Sequence, residues 1–290
     1  MMMMMIKLLK GDCLIESDKI KSGSVDLILT DLPYGTVKDI KNVNHGMSGK
    51  CEWDVVIDTD KIMKLANRIL RKNGKMILTA QQPFTNELIN KAAVNVPFNY
   101  SMIWEKDHFA NALTAKKAPL NYYEDVLVFS KNEDTEKAHP LREYFYTEYE
   151  KTGLTYKEIN RDYLETTFEG GGGMAYNMLC RTRLYFSMPT EDAYSRLQKT
   201  GYFEKPYIDL KIEDEAFKNK MKSTFNLWEG NKVKSNILKY KKDYDGHHPA
   251  QKPILLLEDL IKTFSNENDL VVDLTMGSGS TGVACVNTNR

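Results

Sequence analysis

Close to its C-terminal end the chain runs through a Val-rich apolar stretch, Leu270–Leu274, into Thr275-Met276-Gly277-Ser278-Gly279-Ser280-Thr281-Gly282 and then an apolar helix start. A strand, a glycine loop and the beginning of one helix cannot form a sheet alone, because the backbone groups of the strand need neighbours. Those neighbours must come from the N-terminal part of the chain. The sheet is therefore closed by two chain ends, with the intervening sequence as an insertion. Ligands of open α/β sheets bind at the carboxyl ends of the strands, so the tip of Val25–Thr30 is expected beside the tip of Leu270–Leu274.

The patterning divides the sequence into three zones. Residues 1–130 alternate short apolar runs with amphipathic ones, as βα units do. Ile6–Leu9, Val25–Thr30, Lys75–Thr79, Tyr100–Trp104 and Asp125–Phe129 read as strands. Helices are expected over Thr59–Lys72, stopped by Asn73-Gly74, and from about Pro83, where proline suits a first turn. Residues 131–246 lose this alternation. Ten of the sixteen tyrosines fall between Tyr144 and Tyr207, and Gly170–Gly173 is a glycine run. This zone reads as an inserted module of helices and irregular segments. Residues 247–290 return to the α/β pattern, with apolar positions at Ile254, Leu257, Leu260 and Ile261. The fold class that follows is α/β, with a doubly wound, mostly parallel sheet covered on both faces.

Composition restricts the function classes. With 42% hydrophobic and 28% charged residues the chain is of globular type, and no apolar run reaches the roughly 18–20 residues that span a bilayer, so no membrane partner is expected. Met1–Met5 lacks the charged and long apolar regions of a signal peptide and reads as redundant start codons or a frayed end. Cys13, Cys51, Cys180 and Cys285 form no CxxC pair and have no histidine at metal spacing, which argues against zinc and for a reducing cytoplasm. The formal net charge is zero, but it averages two unlike segments. Glu204–Glu215 holds five acids against two lysines, whereas Ala216–Lys242 holds eight lysines against Glu229 alone. The lysines are interleaved with Phe225, Trp228 and Tyr240, the mixture a nucleic-acid groove uses, and Lys232, Lys234 and Lys239 are the candidate contacts.

The glycine loop sits where a backbone can approach a ligand at a helix N-terminus. A P-loop is excluded, because no Lys-Ser/Thr follows the glycines. Gly277, Gly279 and Gly282 meet a dinucleotide fingerprint literally. A nucleoside-type cofactor without a pyrophosphate fits as well, with Asp273 at the strand end facing its cationic part. A tight turn without a ligand is the plain alternative.

After Val25–Thr30 come Asp31-Leu32-Pro33-Tyr34-Gly35, which in isolation make an ordinary prolyl turn. In this position the tetrapeptide Asp31-Leu32-Pro33-Tyr34 resembles the Asp-Pro-Pro-Tyr motif of the DNA amino-methyltransferases. Asp273–Thr281 is similar to their S-adenosylmethionine motif. His248-Pro249-Ala250-Gln251-Lys252-Pro253 resembles the His-Pro-Thr-Gln-Lys-Pro segment that precedes it, and Gly11-Asp12-Cys13 resembles the short acidic motif after their first strand. Catalytic motif first, target-recognition segment next and cofactor motif last is the order of the β class.

The resemblance implies a Rossmann-like methyltransferase core with an inserted target-recognition module, S-adenosylmethionine as cofactor and double-stranded DNA as substrate, in a bacterial or phage-encoded protein. It allows a second copy of the chain and a restriction endonuclease as partners. It implies a flipped-out target base, since an amino group within the stack is out of reach. It gives Asp31 and the carbonyl of Leu32 the two amino hydrogens, Pro33 the shape of the loop, and Tyr34 a stacking role on the base. Asp12, Cys13, Lys252, Asp273, Gly277, Ser278, Gly279 and Thr281 are implied to hold the cofactor, with Lys252 or its helix near its carboxylate. Glu52-Trp53-Asp54 and Trp104-Glu105-Lys106 read as supporting shell or packing. No Pro-Cys dipeptide occurs, so cytosine-C5 chemistry through a cysteine is excluded.

The sequence departs from the family pattern at Leu32 and at Leu274-Thr275, and by the same resemblance Arg290 falls one strand short of the full cofactor site. Asp at the first motif position favours adenine N6, whereas Ser is commoner in cytosine-N4 enzymes. The expectation is thus an adenine-N6 methyltransferase, with a cytosine-N4 enzyme or a catalytically silent DNA-binding remnant as alternatives. A nicotinamide dehydrogenase lacks a hydride-transfer partner.

Overall fold

The computed structural model describes residues 6–35, 54–110, 115–135, 139–166, 173–227, 230, 232–243 and 251–290. Met1–Met5, Cys51, Glu52, Trp53, Trp228 and His248-Pro249-Ala250, all used in the sequence reading, lie outside the described residues, as do residues 170–172 of the glycine run. The chain forms two compact units, one of residues 134–222 and one of the remaining sequence on either side.

Strand β1 is Val25–Thr30, as the apolar run predicts, and all six residues are buried. Successive side chains of a strand point to opposite faces, and both faces of β1 are covered. Ile28, Met76, Leu78, Leu127 and Phe129 join one apolar cluster, whereas Leu27, Leu29, Ile77, Val126 and Val128 join the other. The first face is closed by α2 (Thr59–Ile69) and α3 (Phe84–Asn90), which contribute Ile62, Ala66, Ile69 and Leu88. The second is closed by α9 (Ile254–Phe264) and α10 (Ser280–Asn287), through Leu256, Leu260, Ile261 and Ala284. Each such buried leucine or isoleucine side chain contributes about 1.5–3 kcal/mol. Four-residue α1 (Cys13–Glu16) precedes β1.

The sheet has the order β5-β3-β4-β2-β1-β6, built from β2 (Leu70–Ala80), β3 (Phe98–Ala110), β4 (Asn121–Ser130), β5 (Ile237–Lys239) and β6 (Val271–Val272). β1 pairs in parallel with β2 and β6, and β3 in parallel with β5, while β4 runs antiparallel to both β2 and β3. The result is an α/β fold with a mixed sheet flanked by helices on both faces. The C-terminal strand lies directly against β1, with Leu27 opposite Val271 and Ile28 opposite Val272.

Three elements differ from the sequence reading. The helix expected to reach Lys72 stops at Ile69, because Leu70 turns extended and pairs with Val25. Its end is capped by the buried ammonium of Lys131, which donates to the carbonyls of Asn67 and Leu70 at 2.7 Å each. Gly74 then lies inside β2 rather than ending a helix. A Cβ there would come within 2.9 Å of the Arg71 carbonyl and 3.0 Å of that of Val25, so only glycine allows this approach. Ile6–Leu9 forms no strand; Leu8 is 71% exposed, and Ile6 lies against Gly282 of α10. The stretch expected to stay in the insert up to residue 246 rejoins the larger unit from Ser223, and β5 adds to the β3 edge.

Asp26 is the polar exception inside β1. It forms a buried ion pair with Arg71 at 2.5 Å, and its second oxygen accepts from the Leu270 amide at 2.8 Å, which fixes β6 against β1.

The second unit contains α4 (Leu141–Thr152), α5 (Tyr156–Glu158), α6 (Gly173–Leu179), α7 (Glu191–Gln198) and α8 (Tyr207–Lys220). Its core is aromatic, centred on Phe145, Tyr194 and Phe203. The Tyr194 hydroxyl reaches the Lys205 carbonyl and the Tyr144 hydroxyl at 2.8 Å each, so the tyrosine richness of this zone serves its packing.

Candidate functional site

The parallel pairing of β1 with β6 places two loops side by side. Asp31 follows the last residue of β1, and Asp273 follows β6. The Thr30 hydroxyl donates to Asp273 Oδ1 at 2.8 Å, and the Thr275 hydroxyl donates to the Asp31 carbonyl at 2.9 Å. The amide of Leu274 completes the tie by donating to Thr30 Oγ1 at 3.3 Å.

These loops form the wall of a cleft of about 760 Å³, within the ~300–1,000 Å³ range of small-molecule sites. Asp12, Cys13, Asp31, Pro33, Lys252, Asp273, Gly277, Ser278 and Thr281 all line it. Gly279 lies between the lining residues Ser278 and Ser280. It has a φ of +85° and begins α10, and a Cβ there would meet no atom within 4 Å, so the backbone turn alone requires glycine. Asp12 also caps α1, its carboxylate accepting from the Leu14 amide at 2.9 Å.

The Asp31 carboxylate is highly engaged. Oδ1 accepts from the hydroxyls of Tyr34, at 2.7 Å, and Thr79, and Oδ2 accepts from Lys252 Nζ at 2.6 Å. Tyr34 is thus held at Asp31 by its hydroxyl, with its ring 5.7 Å from that of Phe84, and burial together with the Asp31 and Glu124 charges raises its phenol pKa. Leu32 is 2% exposed, so its side chain belongs to the core. Gly35 donates its amide to Asp54 at 2.9 Å, which fixes the far end of the turn.

Asp273 has no ion-pair partner among the described residues. Burial raises its carboxyl above the ordinary 3.8, outweighing hydrogen bonds from Thr281, the Thr275 amide and Thr30. A half-enclosed carboxylate of this kind suits a cationic ligand. The cleft size, this carboxylate and the glycine turn together fit S-adenosylmethionine.

The lysines separate. Lys232 is exposed, and Lys239 is 71% exposed at its side chain, 3.3 Å from Glu105. Lys234 instead turns inward to the buried Asp259, whose other oxygen accepts from Tyr240, so its charge is spent within the fold. Lys252, expected near the cofactor carboxylate, lines the cleft, and its ammonium lies 2.6 Å from Asp31 Oδ2 and 3.1 Å from Glu124 Oε2. Sequence reasoning passed over Thr30, Thr79 and Glu124, and noted Thr275 only as a departure from the family pattern. Thr30, at the last position of a fully buried strand, carried a signal: a polar side chain there needs a partner, and topology supplies Asp273. Thr79 and Glu124 carried none in isolation.

The profile of the DNA methylase family matches residues 25–290 of the chain. The DNA adenine methyltransferase YhdJ of Escherichia coli is 25% identical over 98% of this chain and 75% of its own length. The type II methyltransferase M.HindIII of Haemophilus influenzae is 23% identical over 97% of this chain and 87% of its own. Among solved structures, the cytosine-N4-specific PvuII DNA methyltransferase is similar in fold, with a TM-score of 0.50 at 14% identity, over 97% of this chain and 77% of that one. The family match spans both loops of the cleft and the insert between them, and the motif order agrees with it: the chain belongs to the DNA methylase family, as an S-adenosylmethionine-dependent DNA amino-methyltransferase of the β class that methylates a flipped base.

Proposed function

We propose that the chain methylates adenine N6 in double-stranded DNA. The observation that carries this reading is the Asp31 carboxylate at the tip of β1, opening on the cleft beside Asp273. Asp at this motif position is the adenine preference of the family, and a curated relative named as an adenine methyltransferase aligns over 98% of the chain.

The exocyclic nitrogen of adenine is a weak nucleophile, because its lone pair is conjugated with the ring. Asp31 Oδ2 and the Leu32 carbonyl accept its two hydrogens, which draws the nitrogen toward sp³ geometry and frees the lone pair. Pro33 sets the turn that presents the Leu32 carbonyl. Tyr34 anchors Oδ1 and offers a ring face to the base. Asp12 and Cys13 hold the adenine end of S-adenosylmethionine, while Asp273, Gly277, Ser278, Gly279 and Thr281 hold its methionine end. When bound, the cofactor supplies an electrophilic sulfonium methyl. Positioning and electrostatics are the protein's main contributions, and no covalent enzyme intermediate is needed. Lys232 and Lys239 contribute phosphate contacts, and the second unit serves target recognition.

Incubation of the protein with duplex DNA and methyl-labelled S-adenosylmethionine, followed by digestion to nucleosides, tests the proposal. Label in N6-methyladenine is the expected result. Label in N4-methylcytosine alone assigns the other amino base, and absent cofactor binding with intact DNA binding assigns a silent DNA-binding protein.

A further inference from the structure

Four ionisable side chains form a row of alternating sign that starts at Asp31 and Lys252 in the cleft lining and runs on to Glu124 and Lys106. Lys252 Nζ lies 2.6 Å from Asp31 Oδ2 and 3.1 Å from Glu124 Oε2, and Glu124 Oε1 lies 2.6 Å from Lys106 Nζ. The side chains of Lys252, Glu124 and Lys106 are only 10%, 9% and 4% exposed. Such charges persist away from water only when each faces an opposite one, and removing one member leaves its partner uncompensated. Burial pulls the Lys252 ammonium toward neutrality, but Asp31 and Glu124 outweigh it, so its pKa is raised. Burial acts on Glu124 in the opposite sense and is outweighed by Lys252 and Lys106, so its pKa is lowered. Among the described residues, Tyr34, Asp273 and Lys242 also couple electrostatically to this row.

The acceptor capacity of Asp31 gives the row a use. An ionised carboxylate offers about four lone-pair positions. Tyr34 and Thr79 occupy Oδ1, and Lys252 occupies one position on Oδ2. One acceptor position on Oδ2 is left for a substrate hydrogen, and the direction in which it points is set by the direction from which Lys252 approaches. Lys252 is in turn placed by Glu124 from β4, which Lys106 on β3 braces across the strand pair.

We propose that Lys252 is a positioning residue for methyl transfer: held by Glu124 and Lys106, it fixes the rotation of the Asp31 carboxylate so that the remaining Oδ2 lone pair meets the target amino group. The inference rests on the role proposed for Asp31, and it replaces the cofactor-carboxylate contact that the sequence suggests for Lys252. Its consequence is kinetic. Loss of Lys252 misaims an acceptor at the reacting centre and leaves the cofactor's own contacts in place.

The test measures single-turnover methyl transfer at saturating S-adenosylmethionine, and calorimetric affinity for the cofactor, in the full chain and its variants. Lys252→Met is expected to slow transfer about 100-fold, the scale of a misplaced reacting group, with cofactor affinity unchanged. Lys252→Arg, which keeps the charge, is expected to recover part of the rate. Glu124→Gln, nearly isosteric, is expected to slow transfer with the same unchanged affinity, and it decides the matter if Lys252→Met does not fold. Variants that keep the wild-type rate overturn the proposal, as do variants that lose cofactor affinity while keeping the rate at saturation. A wild-type protein that transfers no methyl group to DNA strikes instead at the proposed function, which separates the two failures.

Discussion

Thr30 and Asp273 stand 243 residues apart in the sequence and share a hydrogen bond of 2.8 Å. This contact joins the loop that carries Asp31 to the loop that carries the glycine turn, and it makes one cleft out of two chain ends. The Asp273 carboxyl is raised above 3.8 by burial. For an acid raised in the folded state, the stability contributed is complete below the unfolded pKa and is lost as pH rises through the folded one. At neutral pH the protein without cofactor therefore carries a cost that a cationic ligand relieves. Asp273→Asn is expected to raise the thermal midpoint of the free protein at neutral pH while weakening S-adenosylmethionine binding by about 2 kcal/mol, roughly 30-fold. Wild-type affinity should rise with pH across the same window, and differential scanning fluorimetry with calorimetry checks both signs.

The Asp26–Arg71 pair is structural rather than functional. Both side chains are 3% exposed or less, and Asp26 also holds the Leu270 amide. Asp26→Ala leaves a buried guanidinium uncompensated and should cost about 3–5 kcal/mol in urea unfolding. Arg71→Met added to that variant should recover part of the loss, since the orphaned charge is then gone.

The lysine-rich stretch gives a sharper expectation than its sequence does. Lys232→Glu with Lys239→Glu should weaken duplex binding and lower the dependence of log K on log salt by about two phosphate contacts, roughly 1.8 in slope, with the fold intact. Lys234→Glu places a second anion against Asp259 and should destabilise the protein itself. Binding titrations across salt, paired with unfolding curves, separate the two classes.

The fold was legible where a single segment carries its own signal. β1 follows from a six-residue stretch with four apolar residues between polar turns, and its adjacency to the C-terminal strand follows from the need of a lone βα unit for neighbours. The Asp31 and Asp273 loops were legible for the same reason. What stayed hidden depends on partners remote in sequence. Thr59–Ile69 ends where Lys131 caps it, 61 residues beyond Leu70. Lys234 looked free until Asp259 was placed beneath it, and Lys252 acquired its place only when β4 brought Glu124 to it. Charge patterns along a chain show which lysines exist, whereas burial of their partners decides which remain available.

The central claim is that Asp31 acts on the target base while the neighbouring glycine loop holds the cofactor. Its most direct measurement pairs methyl transfer from labelled S-adenosylmethionine to duplex DNA with calorimetric cofactor affinity, in wild type and Asp31→Ala. The account predicts transfer lost by at least about 100-fold with cofactor affinity nearly intact. Transfer that survives in Asp31→Ala, or a loss of cofactor affinity equal to the loss of transfer, would contradict it.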